Sequence, residues 1–291
     1  MVYDWFMGNE TTVQEETLEN AQVTLPAGTS EPGKQIPAKE SKWNKIRFIN
    51  RDMLKYMALF LMGGGHLIIY IGIQHFIDWM PLWLLRLFIY GEMFAPPVFF
   101  FFISEGFRYT RSRKKYALRL LVLALITQIP YYFCHFFQSE PLWYIFLNWN
   151  VIVTLLAGIT VLMVWESKWK LPVRIIVMIL ITVTTALIQS EWAVAGPILI
   201  FMFYMTGKKP VLRFILYTVA MFAYSFFVNG FYWPYATSTW CYLIAEMCSI
   251  VVITFFYNGR KGHFPAFSKW VFYVFYPLHL IVAVVVKMLI G

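Results

Sequence analysis

The chain has 291 residues, of which 60% are hydrophobic, 20% aromatic and only 13% charged, with a mean hydropathy of +0.62. Soluble domains carry about a quarter charged residues, so this composition excludes a water-soluble globular class. The formal charge of +9 does not indicate nucleic acid, because its positions follow membrane spans. Strand alternation is absent, and hydrocarbon requires backbone polar groups to be satisfied within helices, so the fold class is an all-α polytopic membrane protein.

Residues 1–41 read as a disordered acidic and polar cytoplasmic tail that holds seven of the fifteen acidic residues. Residues 42–291 read as a transmembrane domain. It opens with the basic segment SKWNKIRFINRDMLK, in which Trp43 suits the headgroup region. Nine apolar spans follow, at 53–77, 83–107, 116–138, 143–165, 172–189, 191–206, 211–229, 238–257 and 269–290. With the N-terminus inside, twenty Lys and Arg fall in inner segments and two, Arg86 and Lys287, in outer ones. That asymmetry predicts a multi-pass protein of the cell membrane with a cytoplasmic N-terminus and an odd number of spans. The pair 172–189 and 191–206 is short and reads either as a re-entrant hairpin or as tilted helices joined at Gln189–Glu191. No internal repeat is evident, so an inverted-repeat transporter has no direct support. Cys134, Cys241 and Cys248 lie in apolar segments without metal-ligand spacing, and no metal is expected.

In the first span Lys55 precedes His66 by eleven residues, about three turns and ~16 Å of rise, so both side chains share a face. Lys55 belongs at a membrane surface and His66 deep in the bilayer, where an ionisable group is a functional candidate by default. A neutral imidazole suits general-base work near neutral pH. The plainer alternative is a core histidine bonded to a neighbouring helix, with Lys55 snorkelling to the surface. Gly63, Gly64 and Gly65 allow either close helix packing or a slot for an extended acyl-pantetheine arm. Glu92 in the second span is placed to orient His66, and Pro96 and Pro97 should bend that helix. The last span carries Tyr276 and His279, and two deep histidines in the first and last spans suggest a shared site. Asn150 and Tyr276 are candidate pocket residues and oxyanion donors. His75 and His135, near outer ends, read as surface residues. At the inner end of the second span Arg108, Arg111, Arg113, Lys114, Lys115 and Arg119 place six cations within twelve residues. Such a cluster reads as a solvated, lipid-facing loop or as a site for the phosphates of coenzyme A.

These stretches occur in order in one known family. LKYMALFLMGGGHL, EGFRYTRSRKKYALRLLVLALITQIPYYF, NVIVT, SEWAVAGPILIFMFY, FYNGRKG and FYVFYPLHL resemble TraX-family proteins, with the resemblance covering roughly residues 52–285. That family is similar to the type-three membrane acyltransferases, in which a basic residue precedes the active-site His by eleven positions, as Lys55 precedes His66. Arg111-Ser-Arg113 sits where those enzymes are thought to hold the nucleotide end of acetyl-CoA.

The resemblance implies acetyl transfer; the founding TraX protein acetylates the N-terminal amine of a conjugative pilin. It implies acetyl-CoA as co-substrate on Arg108, Arg111, Arg113, Lys114 and Lys115, with His66, Lys55 and Glu92 catalytic and Gly65, Asn150, Tyr276 and His279 lining the pocket. Two departures matter. The family usually has Asp immediately before the His, where this chain has Gly65, and usually a Gly-Arg-x-Ala-Phe-Pro run where this chain reads Glu92-Met93-Phe94-Ala95-Pro96-Pro97. A carboxylate moved to Glu92, a changed acceptor and lost activity are the three explanations, so pilin is not assumed. The expected partners are acetyl-CoA, membrane lipids and a peptide, glycan or lipid acceptor, with no nucleic acid. The rival readings are an O-acetyltransferase of a glycan or lipid and a non-enzymatic transporter or lipid-binding membrane protein.

Overall fold

The structure, a computed structural model, describes residues 46–136, 139–229, 237–262 and 265–290. The expected tail at 1–41 lies outside the described residues. Among the described residues ten α-helices run in order: α1 Arg51–Ile71, α2 Leu82–Gly91, α3 Ala95–Tyr109, α4 Arg113–His135, α5 Val151–Trp165, α6 Leu171–Leu187, α7 Ala195–Thr206, α8 Pro210–Asn229, α9 Thr237–Val251 and α10 Pro265–Ile290. Among the described residues there is no named strand, only an isolated parallel bridge between Ile49 and Tyr257.

Among the described residues, seven helical segments are long and apolar enough to cross a membrane: 51–71, 82–109, 113–135, 142–165, 210–227, 237–256 and 270–290. The remaining two of the nine expected spans are α6 and α7, of 17 and 12 residues. At 1.5 Å per residue they reach ~26 Å and ~18 Å, short of a hydrocarbon layer of ~30 Å. Apolar character without helical length is what separates the two counts. The connections before α6 and after α7 still fall on one side, whether the pair crosses or dips in and returns.

The ends of the elements have local causes. Asn50 caps α1, its side-chain oxygen accepting from the Met53 amide at 2.9 Å. The helix stops at Gly72, whose φ of 112° is closed to a side chain. The second apolar stretch is one segment with a break, because Glu92–Phe94 form a 3₁₀ turn between α2 and α3. Pro96 and Pro97 then fall in the first turn of α3, where a missing amide hydrogen costs least. The fourth stretch is likewise divided, into a 3₁₀ turn at Leu142–Phe146 and α5.

Helix α1 packs chiefly against α10 and α2, and α5 packs against α4, α6 and α7. The three glycines of α1 allow that approach. A Cβ on Gly63 would strike the Phe275 ring of α10, and one on Gly64 the Phe88 ring of α2. At Gly65 it would lie 2.6 Å from the Phe88 carbonyl oxygen and 2.8 Å from the Glu92 side chain. Close helix packing is therefore the use these glycines serve, and the space beside Gly65 is filled by Glu92. Because one of the obstructing atoms at Gly65 is backbone, Gly65→Ala should destabilise the protein by about 1–3 kcal/mol, read as a lower unfolding midpoint in detergent. An unchanged midpoint would show that α2 can move away without cost.

Candidate active site

An imidazole buried among helices must account for two nitrogens. On α10, His279 Nδ1 lies 2.9 Å from the Phe275 carbonyl oxygen, one turn earlier on the same helix. A carbonyl only accepts, so Nδ1 carries the hydrogen, and Nε2 of the neutral ring is an acceptor. That Nε2 lies 2.9 Å from His66 Nδ1 on α1, so His66 is the donor. The chain of donation leaves the lone pair of His66 on Nε2, facing Glu92 Oε2 at 3.8 Å. Glu92 is 8% exposed, and its Oε2 has no hydrogen-bond partner. The two imidazole planes lie within 21° of one another with centroids 5.1 Å apart, as an in-plane N–H···N bond requires, and Tyr276 sets its ring edge-on to His279 at 5.3 Å.

One turn further along α1 the pattern repeats. Tyr70 follows His66 by four residues, so it occupies the same face. His135 of α4 donates from Nδ1 to the Tyr131 carbonyl at 3.0 Å and accepts at Nε2 from the Tyr70 hydroxyl at 2.9 Å. Glu191 Oε1 is 4.0 Å from that same His135 nitrogen. Its other oxygen accepts from the Val151 amide at the start of α5, at 3.1 Å. Tyr131 and Tyr276 lie near the Glu191 carboxylate. His135 is thus not a surface residue but part of a polar layer with Tyr70 and Glu191.

Glu191 is held by a strained turn. Gln189 and Trp192, on either side, adopt φ of 48° and 61°, a left-handed region that ordinary side chains rarely occupy. The Glu191 amide donates to the Trp149 carbonyl at 2.9 Å, the Thr154 hydroxyl donates to the Glu191 carbonyl, and Asn148 Nδ2 donates to Gln189 Oε1 at 3.0 Å. These bonds fix the α6–α7 turn to the start of α5.

Of the residues singled out from the sequence, His66, Glu92, His279 and Tyr276 meet, and Gly65 lies against Glu92. Lys55 does not join them; its Nζ lies 5.4 Å from the Phe102 ring centre, nearly three turns away along α1. Asn150 is fully buried, but its amide is spent. Nδ2 donates to the Ala124 carbonyl at 3.0 Å and to Gln128 Oε1 at 2.8 Å, while Oδ1 accepts from the Ile152 amide at 3.0 Å. It caps α5 and has no donor left for an oxyanion. Tyr70, His135 and Glu191 were missed. The i, i+4 spacing of His66 and Tyr70, and the polar QSE break between two apolar stretches, were the available signals.

The basic loop divides. Arg113 pairs with Glu166 and covers the Phe107 ring at 4.5 Å. Arg111, Lys114 and Lys115 are exposed. Arg108 donates to the Tyr204 carbonyl and borders a cavity of about 340 Å³ at this basic end of the bundle. No group of three or more His, Cys, Asp or Glu among the described residues is arranged to hold a metal ion.

Comparison with known proteins adds the following. Residues 50–287 match the family model described as "TraX protein". A protein of Dichelobacter nodosus, "Probable fimbrial assembly protein FimC, serogroup H1", is 26% identical over 199 residues, covering 66% of this chain and 79% of its own. No solved structure matches.

The Asn150 arrangement predicts a structural phenotype. Asn150→Ala should lower stability by roughly 1–2 kcal/mol through loss of the cap and of partners for Gln128, measured by thermal unfolding in detergent. A variant of full stability with altered activity would instead return Asn150 to the chemistry.

Proposed function

The chain belongs to the TraX family, and we propose that it is an integral-membrane acetyltransferase whose general base is His66 Nε2. In this reading the basic end of the bundle faces the cytoplasm, in keeping with the twenty-to-two distribution of Lys and Arg. Acetyl-CoA approaches from that end, and the acceptor is the amine of a peptide. The observation that carries the reading is the single uncommitted lone pair of His66, fixed by donation through His279 to the Phe275 carbonyl and set opposite a buried carboxylate.

The chemistry then follows from these atoms. His66 Nε2 removes a proton from the neutral acceptor amine as its nitrogen attacks the thioester carbonyl carbon. A C–N bond forms and the C–S bond breaks. The imidazolium returns its proton to the departing sulfur. While it carries charge, it keeps Nδ1–H on His279 Nε2 and faces the Glu92 carboxylate, which stabilises it. The relative named as a fimbrial assembly protein is compatible with a fibre subunit as that peptide.

The test is acetyl transfer by the purified chain in lipid nanodiscs, read by mass spectrometry of candidate peptides, glycans and lipids for one added acetyl group. His66→Ala should lose activity by ~10²–10⁴-fold while retaining its unfolding midpoint. His279→Phe should lose part of it, because His66 then has no partner fixing its tautomer. Glu92→Gln should lower the rate more than the apparent affinity for acetyl-CoA. Full activity in His66→Ala removes this imidazole from the mechanism.

A further inference from the structure

The cavity at the basic end has an unusual charge balance. Its walls include Arg47, Arg108, Lys208 and Arg213, against one carboxylate among the described lining residues, Glu105. That carboxylate is already engaged. Arg51 donates to it at 3.1 Å, and the Tyr257 hydroxyl reaches both of its oxygens at 3.0 and 3.1 Å. Four cations therefore share a small space without a free anionic side chain to balance them. Arg47 and Arg213 are close enough to repel one another.

Three further observations point inward to a ligand. Arg213 is 8% exposed, and its Nε is buried without a partner. Arg47 Nε and Thr254 Oγ1, both on the cavity wall, are likewise buried and unpartnered. Orphaned donors of this kind are costly inside a protein and mark a place where an acceptor belongs. Thr254 lies in a π-helical turn, Val252–Phe256, a rare geometry that recurs at functional sites. The cavity also borders Pro210, the first residue of the twenty-residue helix α8, whose N-terminal dipole favours an anion.

We infer that this cavity is a phosphate-binding site, formed by Arg47, Arg213, Arg108, Lys208 and the Thr254 hydroxyl at the foot of α8. Guanidinium forks suit phosphate oxygens, and a volume of about 340 Å³ falls in the ~300–1,000 Å³ range of small-molecule sites. On the acetyl-transfer reading, on which only the identity of the ligand rests, it takes the phosphates of coenzyme A. The exposed Arg111, Lys114 and Lys115 then serve approach rather than binding. The same phosphate chemistry could be offered by an anionic lipid headgroup.

The experiment is titration of the full chain in phosphatidylcholine nanodiscs with coenzyme A, inorganic pyrophosphate and phosphate-free acetyl-pantetheine. Coenzyme A and pyrophosphate should bind, more weakly as salt is raised, and acetyl-pantetheine should bind at least tenfold more weakly than coenzyme A. Arg213→Gln and Arg47→Gln should each weaken binding of both phosphates about tenfold or more, while Arg111→Gln leaves it within twofold. If Arg213→Gln does not fold, Arg213→Lys and Lys208→Ala carry the same test with a smaller expected loss. Binding indifferent to every cavity variant, or lost in Arg111→Gln alone, overturns the inference. Pyrophosphate binding with no binding of coenzyme A leaves the phosphate site standing and removes the acetyl carrier. Stabilisation by phosphatidylglycerol nanodiscs that depends on Arg213 assigns the phosphate to a lipid.

Discussion

The proton on His279 Nδ1 is the constraint from which the arrangement of the active layer follows. Within lipid a backbone carbonyl and an imidazole cannot turn to water, and leaving either unsatisfied costs several kcal/mol. The i−4 contact with Phe275 removes the choice of tautomer on His279, and the next hydrogen bond removes it on His66. Only one basic site remains, and it points at Glu92. Tyr70 and His135 reproduce the same logic one turn away, using a different helix and a different carbonyl. One face of helix α1 is therefore read by two histidines from two different helices, each held by its own backbone.

This layer coincides with a set of helix interruptions. His66 stands fifteen residues above Arg51, ~22 Å by helical rise, and the starts of α3 and α5 lie at a similar distance above their basic ends. Pro130 in α4 and Pro277 in α10 fall at comparable positions. A continuous helix offers no free amide donors from its backbone. An interrupted one does, and membrane proteins place such irregular backbone where it is buried in protein or lines a cavity. Glu191 on the first amide of α5 illustrates the gain: a carboxylate finds a donor without another charged side chain.

How much of this could be read beforehand depended on whether the signal was local. Long apolar runs and the positions of Lys and Arg carried the helical character and the spans, because hydrophobicity acts residue by residue. The pairing of His66 with His279 was suggested by two deep histidines in the first and last spans, whose packing together only the fold shows. The division of the second and fourth runs into turn and helix was less accessible, since Leu, Trp, Tyr and Phe suit either geometry. Asn150 looked like a polar group awaiting chemistry, but its partners, Gln128 and Ala124, lie on another helix. The basic cavity was invisible for the same reason: Arg47, Arg108, Arg213 and Thr254 are scattered along the chain and converge only after folding, whereas the cations adjacent in sequence are largely turned to solvent.

The fit of Glu92 beside Gly65 has a consequence for how such sites change over time. The side chain missing from one helix and the carboxylate added on the next occupy a single volume, so the two positions are not free to vary separately. An acid restored next to His66 while Glu92 stays would crowd two negative charges into space for one. Removal of Glu92 alone would leave the imidazole facing a void. Any side chain introduced at Gly65 therefore has to be matched by a change at Glu92 and by a shift of the Phe88 backbone.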